Sequence, residues 1–225
     1  LSTFSLATDP IDGTEVVLID ASAFEGRVNS IDFDAEMLAD TTQLIGGAST
    51  KDTVKFGTDT DGKTFTPNIQ GFEYWNYTHN TGATGAETST INLTKVTGLT
   101  RLYLQGATAD GANTLVIGDY NSDNHGTIHL GAASGTPLDA TGGTSLTVNH
   151  QSATGTSDTL NLFFQDTDNG AGTTTITSAG TEVLNITALN AAETHLINTS
   201  AVTPTTGSAT TININGYLAT ASSTA

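Results

Sequence analysis

One pair of phrases occurs twice in this chain in the same order, and that echo restricts the fold more than any other feature. Asp52-Thr53-Val54 returns as Asp158-Thr159-Leu160, and Gly71-Phe72-Glu73 returns as Gly180-Thr181-Glu182. Between each pair lies an acidic turn, Asp59-Thr60-Asp61-Gly62 in the first copy and Asp166-Thr167-Asp168-Asn169-Gly170 in the second. A partial third copy, Gly13-Thr14-Glu15, opens the run Val16-Val17-Leu18-Ile19-Asp20. Units that repeat with strands between them stack on their neighbours, so the echo points to a repeat architecture. The repeats lie near residues 13–20, 51–78 and 157–187.

Between the echoes run short alternating segments punctuated by Gly, Asn or Asp: Ile91-Asn92-Leu93, Leu102-Tyr103-Leu104, Leu115-Val116-Ile117, Ile128-His129-Leu130 and Leu146-Thr147-Val148. Apolar residues make up only 36% of the chain, too few for a thick core, while the abundant Thr favours strands through its branched Cβ. Strands this short suit a sandwich or a solenoid. The tight Asn-Gly hairpin signal is missing between them, and small residues recur at the turns. The expectation is an all-β chain forming one right-handed parallel β-solenoid over residues 1–225, with β-sandwich domains as the alternative. About ten coils at about 4.8 Å each would make a rod of about 50 Å. Helix-forming composition is confined to Asp34–Asp40, enough for one turn capped by Asp34.

Charge narrows the partners. With 23 acidic and 6 basic side chains the net charge is −17, so the clustered Lys and Arg that nucleic acid requires are absent. The longest apolar runs are a few residues, far short of the roughly 20 of a membrane helix. Cysteine is absent, which leaves ladders, packing or metal to hold the fold in an oxidising compartment.

The two acidic turns are the candidate metal centre. Alternate carboxylates beside a glycine offer Ca²⁺ several hard oxygens where the backbone can curl inward. The predicted ligands are Asp59 and Asp61 in one turn and Asp166 and Asp168 in the other, with Asp52 and Asp158 closing the same sites. The competing reading is a pair of solvated Asx turns. Asp119–Asn124 is a similar oxygen-rich loop without an echo, read as a plain turn. Glu15, Glu73 and Glu182 share one position at a strand start and are read as coil caps that accept backbone hydrogen bonds. His125 and His129, four apart on a strand, lack the helical closeness of a zinc pair. Trp75 and Tyr77 share a face expected in the core, with Tyr74 opposite. No nucleophile elbow, phosphate loop or cysteine nucleophile is present, so an enzyme is not expected.

Gly180-Thr181-Glu182-Val183-Leu184-Asn185-Ile186, Gly155-Thr156-Ser157-Asp158-Thr159-Leu160-Asn161-Leu162 and Asp20-Ala21-Ser22-Ala23-Phe24-Glu25-Gly26 resemble the repeat regions of Caulobacter-type bacterial surface-layer proteins and of the related repeats-in-toxin secreted proteins. The tandem calcium nonapeptide of that family is absent; Gly46–Val54 approaches it, with Ser49 at the third glycine. The resemblance implies a segment of a larger extracellular protein at a bacterial cell surface, stabilised by calcium and self-associating into a surface layer or filament. Cell-surface polysaccharide is a further expected partner. The alternative is an adhesin module recognising glycans or a host surface, which would show a clustered aromatic face.

Overall fold

The computed structural model describes residues 3–11, 18–33, 43–56, 64–79, 88–106, 114–130, 144–165, 173–189, 196–205 and 209–216. The first strands are β1 (Thr3–Ile11), β2 (Leu18–Asp20), β3 (Arg27–Phe33), β4 (Gln43–Ile45), β5 (Thr53–Phe56) and β6 (Thr64–Phe65). After them come β7 (Asn68–Gln70), β8 (Tyr74–His79), β9 (Thr88–Asn92), β10 (Arg101–Gly106) and β11 (Thr114–Tyr120), then the short helix α1 (Ser122–His125) and β12 (Thr127–Leu130). The remainder are β13 (Thr144–His150), β14 (Thr159–Gln165), β15 (Thr173–Ala179), β16 (Val183–Leu189), β17 (Leu196–Thr203) and β18 (Thr211–Gly216).

Among these residues every strand pairing is parallel, and the strands form a nine-stranded sheet β1-β3-β5-β8-β10-β12-β14-β16-β18, a six-stranded sheet β17-β15-β13-β11-β9-β6 and a three-stranded sheet β2-β4-β7. Each coil therefore lays one strand on the large sheet and crosses to another sheet before returning. This is a parallel β-solenoid.

Alternation supplies the core. In β13 and β14 the odd and even positions switch between buried and partly exposed, so Leu146 and Val148 face in, as do Leu160 and Leu162. Because neighbouring coils pair in register, the inward residues become columns: Val54, Trp75, Leu102, Ile128, Leu162 and Ile186 on the large sheet. Leu115, Leu146 and Ile176 face them from the six-stranded sheet. Trp75 and Tyr77 are fully buried, as their shared face predicts. The echo aligns Trp75 with Leu184, whereas the ladder carries its column to Ile186, two residues further on. Both positions point inward. The shift gives the later strands an extra inward column, Leu160, Leu184 and Ile212.

Corners between sheets demand close backbone approach. Gly46, Gly71 and Gly98 stack there, with Gly71 and Gly98 at φ of 67° and 83°, a region L side chains avoid. Gly46 N–H donates to Gln70 O at 2.7 Å and Gly71 N–H to Thr97 O at 3.0 Å, continuing the ladder around the bend. A Cβ on Gly46 would stand 1.9 Å from the Gly71 carbonyl oxygen.

A short helix forms where a plain turn was expected. Asp34–Asp40 falls outside the described residues, while the oxygen-rich Asp119–Asn124 loop, read as a plain turn, contributes to α1. Asn121 Oδ1 accepts the Asp123 N–H, His125 Nδ1 accepts the Asn121 N–H, and Gly126 at φ 63° ends the turn. Of the side chains that suggested a solvated turn, Asn121 serves as the N-cap.

Gly46→Ala should lower stability by more than about 1 kcal/mol, because the glycine stack must open to admit a methyl group. Gly118→Ala, whose Cβ would meet nothing nearer than 3.6 Å, should fall within about 0.5 kcal/mol of the parent. Urea unfolding of both variants checks the contrast.

Candidate functional site

Carboxylates occupy the corners where the chain enters the large sheet. Turning there leaves backbone N–H groups with no strand opposite, and a buried unpaired N–H costs about 1–3 kcal/mol. Asp52, fully buried, answers two of them: Oδ1 accepts Val28 N–H at 2.8 Å and Oδ2 accepts Gly47 N–H at 2.7 Å. One coil later Glu73 Oε2 accepts the Asp52 N–H at 2.9 Å. The second echo rebuilds this contact, with Glu182 Oε2 accepting the Asp158 N–H at 3.0 Å and Oε1 accepting Thr205 N–H at 2.8 Å. Glu73 and Glu182 are coil caps, as their shared position suggests.

These two glutamates titrate in opposite directions. Burial raises Glu73 above its ordinary range, and the nearby Asp52 carboxylate adds to that. Burial pushes Glu182 upward too, but hydrogen bonds from Thr205 and from the Asp158 N–H outweigh it and hold the group below the ordinary range. The extra partner on Thr205 makes the difference.

Of the predicted calcium ligands, Asp59, Asp61, Asp166 and Asp168 lie outside the described residues, as does Glu15. Both oxygens of Asp52 are already hydrogen-bonded to backbone. Asp158 differs, because its Oδ2 is buried without a hydrogen-bond partner among the described residues. That oxygen has lone pairs to offer a cation. No group of three or more His, Asp or Glu side chains placed to hold a metal occurs among the described residues. His125 and His129 part company: His125 sits in α1 beside Tyr120, and His129 points outward from β12.

On the outer face of the large sheet a second arrangement appears. Tyr103, His129 and Phe163 are register partners on β10, β12 and β14, and their rings stack with centroids 4.6 and 4.7 Å apart. Tyr74 meets Tyr103 edge-on at 6.4 Å, and the Arg101 guanidinium lies 5.3 Å above the Tyr74 ring while donating to Tyr103 Oη at 3.3 Å. Two residues back along each strand runs a polar row. There Asn185 Nδ2 donates to Asn161 Oδ1 and Asn213 Nδ2 to Asn185 Oδ1, both at 2.8 Å. The two rows border a groove of about 460 Å³. Burial first, then the neighbouring Arg101 charge, depress His129 to about 4, so at neutral pH the groove carries the Arg101 charge alone.

Sequence reasoning weighed Tyr74, Trp75 and Tyr77 as the one candidate aromatic cluster, expected Trp75 and Tyr77 in the core, and passed over this one. Its signal lies in three matched tetrads: Arg101-Leu102-Tyr103-Leu104, Thr127-Ile128-His129-Leu130 and Asn161-Leu162-Phe163-Phe164. Each has a ring between two apolar residues, two positions after a polar one.

The chain matches no protein-family model, and comparison with curated proteins and with solved structures finds no match. No helix among the described residues is long and apolar enough to cross a membrane.

Glu182→Gln and Glu73→Gln should separate the two corners. A carboxylate with a depressed folded pKa stabilises above its unfolded value of about 4.3 and loses that contribution as pH falls through the folded value. One with a raised pKa favours the fold below about 4.3 and loses that as pH rises through the folded value. At pH 7 Glu182→Gln should therefore destabilise, by about 1–3 kcal/mol since the amide keeps one acceptor for two N–H donors. The loss should shrink in acid. Glu73→Gln should leave pH 7 stability unchanged or raised. Urea unfolding at pH 7 and pH 4 reads both.

Proposed function

We propose that this chain is a structural, self-associating module of an extracellular array or filament, the role its resemblance to surface-layer repeats implies. The observation that supports it is the C-terminal strand. On β18, Ile212 and Ile214 are 46% and 48% exposed, although the residues they continue, Leu184 and Ile186, are 0% and 4% exposed. The whole strand is exposed, and its outer edge has no strand partner among the described residues.

Among the described residues that edge lies open beside a core column, and an open parallel edge is a template for another strand. The far edge of the same sheet is β1. Stacking one copy's β18 edge on another's β1 edge joins unlike surfaces, and such heterologous contacts propagate into filaments where the rotation does not close a ring. Calcium fits this reading as a stabiliser. Asp158 contributes the spare buried oxygen, and Asp166 and Asp168, in the echoed acidic turn, are the companions proposed from sequence. Bound only to the folded state at a hundred times its dissociation constant, it would add about 2.7 kcal/mol per site.

Sedimentation velocity of the 225-residue chain across a concentration series, with calcium and with chelator, tests the proposal. The expected result is concentration-dependent growth that Ile214→Asp reduces while the melting temperature stays near the parent's, together with a lower melting temperature in chelator. Monomer at every concentration in both conditions would overturn self-association, and a melting temperature indifferent to chelator would overturn the calcium role.

A further inference from the structure

We propose that the groove on the outer face of the large sheet binds a linear, sparsely charged acidic polysaccharide, a uronic-acid-containing chain lying along the solenoid axis. This goes beyond end-to-end association and does not depend on it, because the groove lies on a sheet face rather than at an edge.

Three independent features converge there. The first is shape. The lining residues come from β10, β12, β14 and β16, four consecutive strands of the sheet. The groove therefore runs across the strands for about 14 Å at one strand spacing of about 4.8 Å per step. An extended polymer parallel to the axis meets the same kind of wall at every step.

The second is hydrogen-bonding pattern. In the Asn161, Asn185 and Asn213 ladder each linking bond uses one N–H of the donor amide and one lone pair of the acceptor oxygen. A primary amide has two N–H donors and two carbonyl lone pairs, so every rung keeps a donor or acceptor free for a ligand. Sugar hydroxyls both donate and accept, and a row of such rungs suits a row of hydroxyls. Thr127 and Thr187 add hydroxyl-bearing side chains to the lining. Opposite stands the aromatic row, whose Tyr103 and His129 are 8% exposed and whose Phe163 is half-buried. Of the three, Phe163 offers ring surface to the apolar C–H face of a pyranose ring.

Charge is the third feature. The chain has 23 acidic side chains, yet no carboxylate is among the described residues that line the groove, and Arg101 is. Its guanidinium, held over Tyr74 and against Tyr103, is fixed to receive a carboxylate in two parallel hydrogen bonds. A net charge of −17 elsewhere repels densely charged polyanions, so the fitting ligand carries carboxylates at intervals rather than a phosphate at every unit.

Isothermal titration calorimetry on the Ile214→Asp chain separates this proposal from filament formation. The probes are a galacturonate hexasaccharide, its carboxyl-reduced neutral counterpart and an extended Thr-rich peptide of similar length. All are titrated in chelator, so that calcium bridging by the uronate cannot stand in for the groove. Saturable binding of the hexasaccharide is expected, at least tenfold weaker for the reduced form. Arg101→Gln should erase the preference between the two sugars. Asn185→Asp, a change on a partly exposed face, should weaken the uronate at least tenfold while leaving the melting temperature near the parent's. Absence of saturable binding by either sugar, binding unchanged in both variants, or binding of the peptide instead would each overturn the proposal.

Discussion

Backbone N–H groups stranded at the corners are the constraint on which the rest of this structure depends. A parallel solenoid satisfies its strands by pairing coil with coil, but at each bend the ladder breaks and donors face inward with no carbonyl opposite. Asp52, Glu73 and Glu182 supply the missing acceptors, and each bridges residues of different coils. A carboxylate that receives two N–H groups can remain ionised when buried, because those dipoles replace the water it lost. With the corners fixed, columns such as Trp75, Leu102 and Ile128 stay in register and the narrow core closes. The glycine stack at Gly46, Gly71 and Gly98 is the steric half of the same solution, since a side chain there would force apart the coils that the carboxylates tie together.

Much of the fold was legible because its determinants are local. Alternation marked β9 through β13, and the G-x-E phrase marked the caps at Glu73 and Glu182 before any coordinates. What stayed hidden depends on how far apart in sequence two stacked residues lie. That offset is 21 residues between Asp52 and Glu73, 24 between Asn161 and Asn185, and 28 between Asn185 and Asn213. Unequal coils let Tyr103, His129 and Phe163 fall into one column although no fixed period joins them. The same irregularity moved the column of Trp75 from Leu184 to Ile186. α1 was missed for another reason: the Asn121 and His125 side chains, which accept backbone N–H groups, and the closing Gly126 look like loop chemistry until they are seen to bound one turn.

Charge is distributed as unevenly as the coil lengths. Acidic groups at the corners accept backbone N–H groups, whereas Arg101 stands over an aromatic wall in a groove with no carboxylate among its described lining residues. The sheet edge at β18, exposed and without a strand partner among the described residues, is a third environment. Corner, face and edge thus have distinct chemistry because the solenoid gives each a different relation to its neighbours.

Amide hydrogen exchange, followed residue by residue by NMR, tests the account most directly. If corner carboxylates hold the coils, the N–H groups of Val28, Gly47, Asp52, Asp158 and Thr205 exchange as slowly as the central amides of β8, β10 and β14, even though Gly47, Asp52, Asp158 and Thr205 lie outside strands. Exchange of those five at the rate of open turns, with the strand amides still protected, would contradict it.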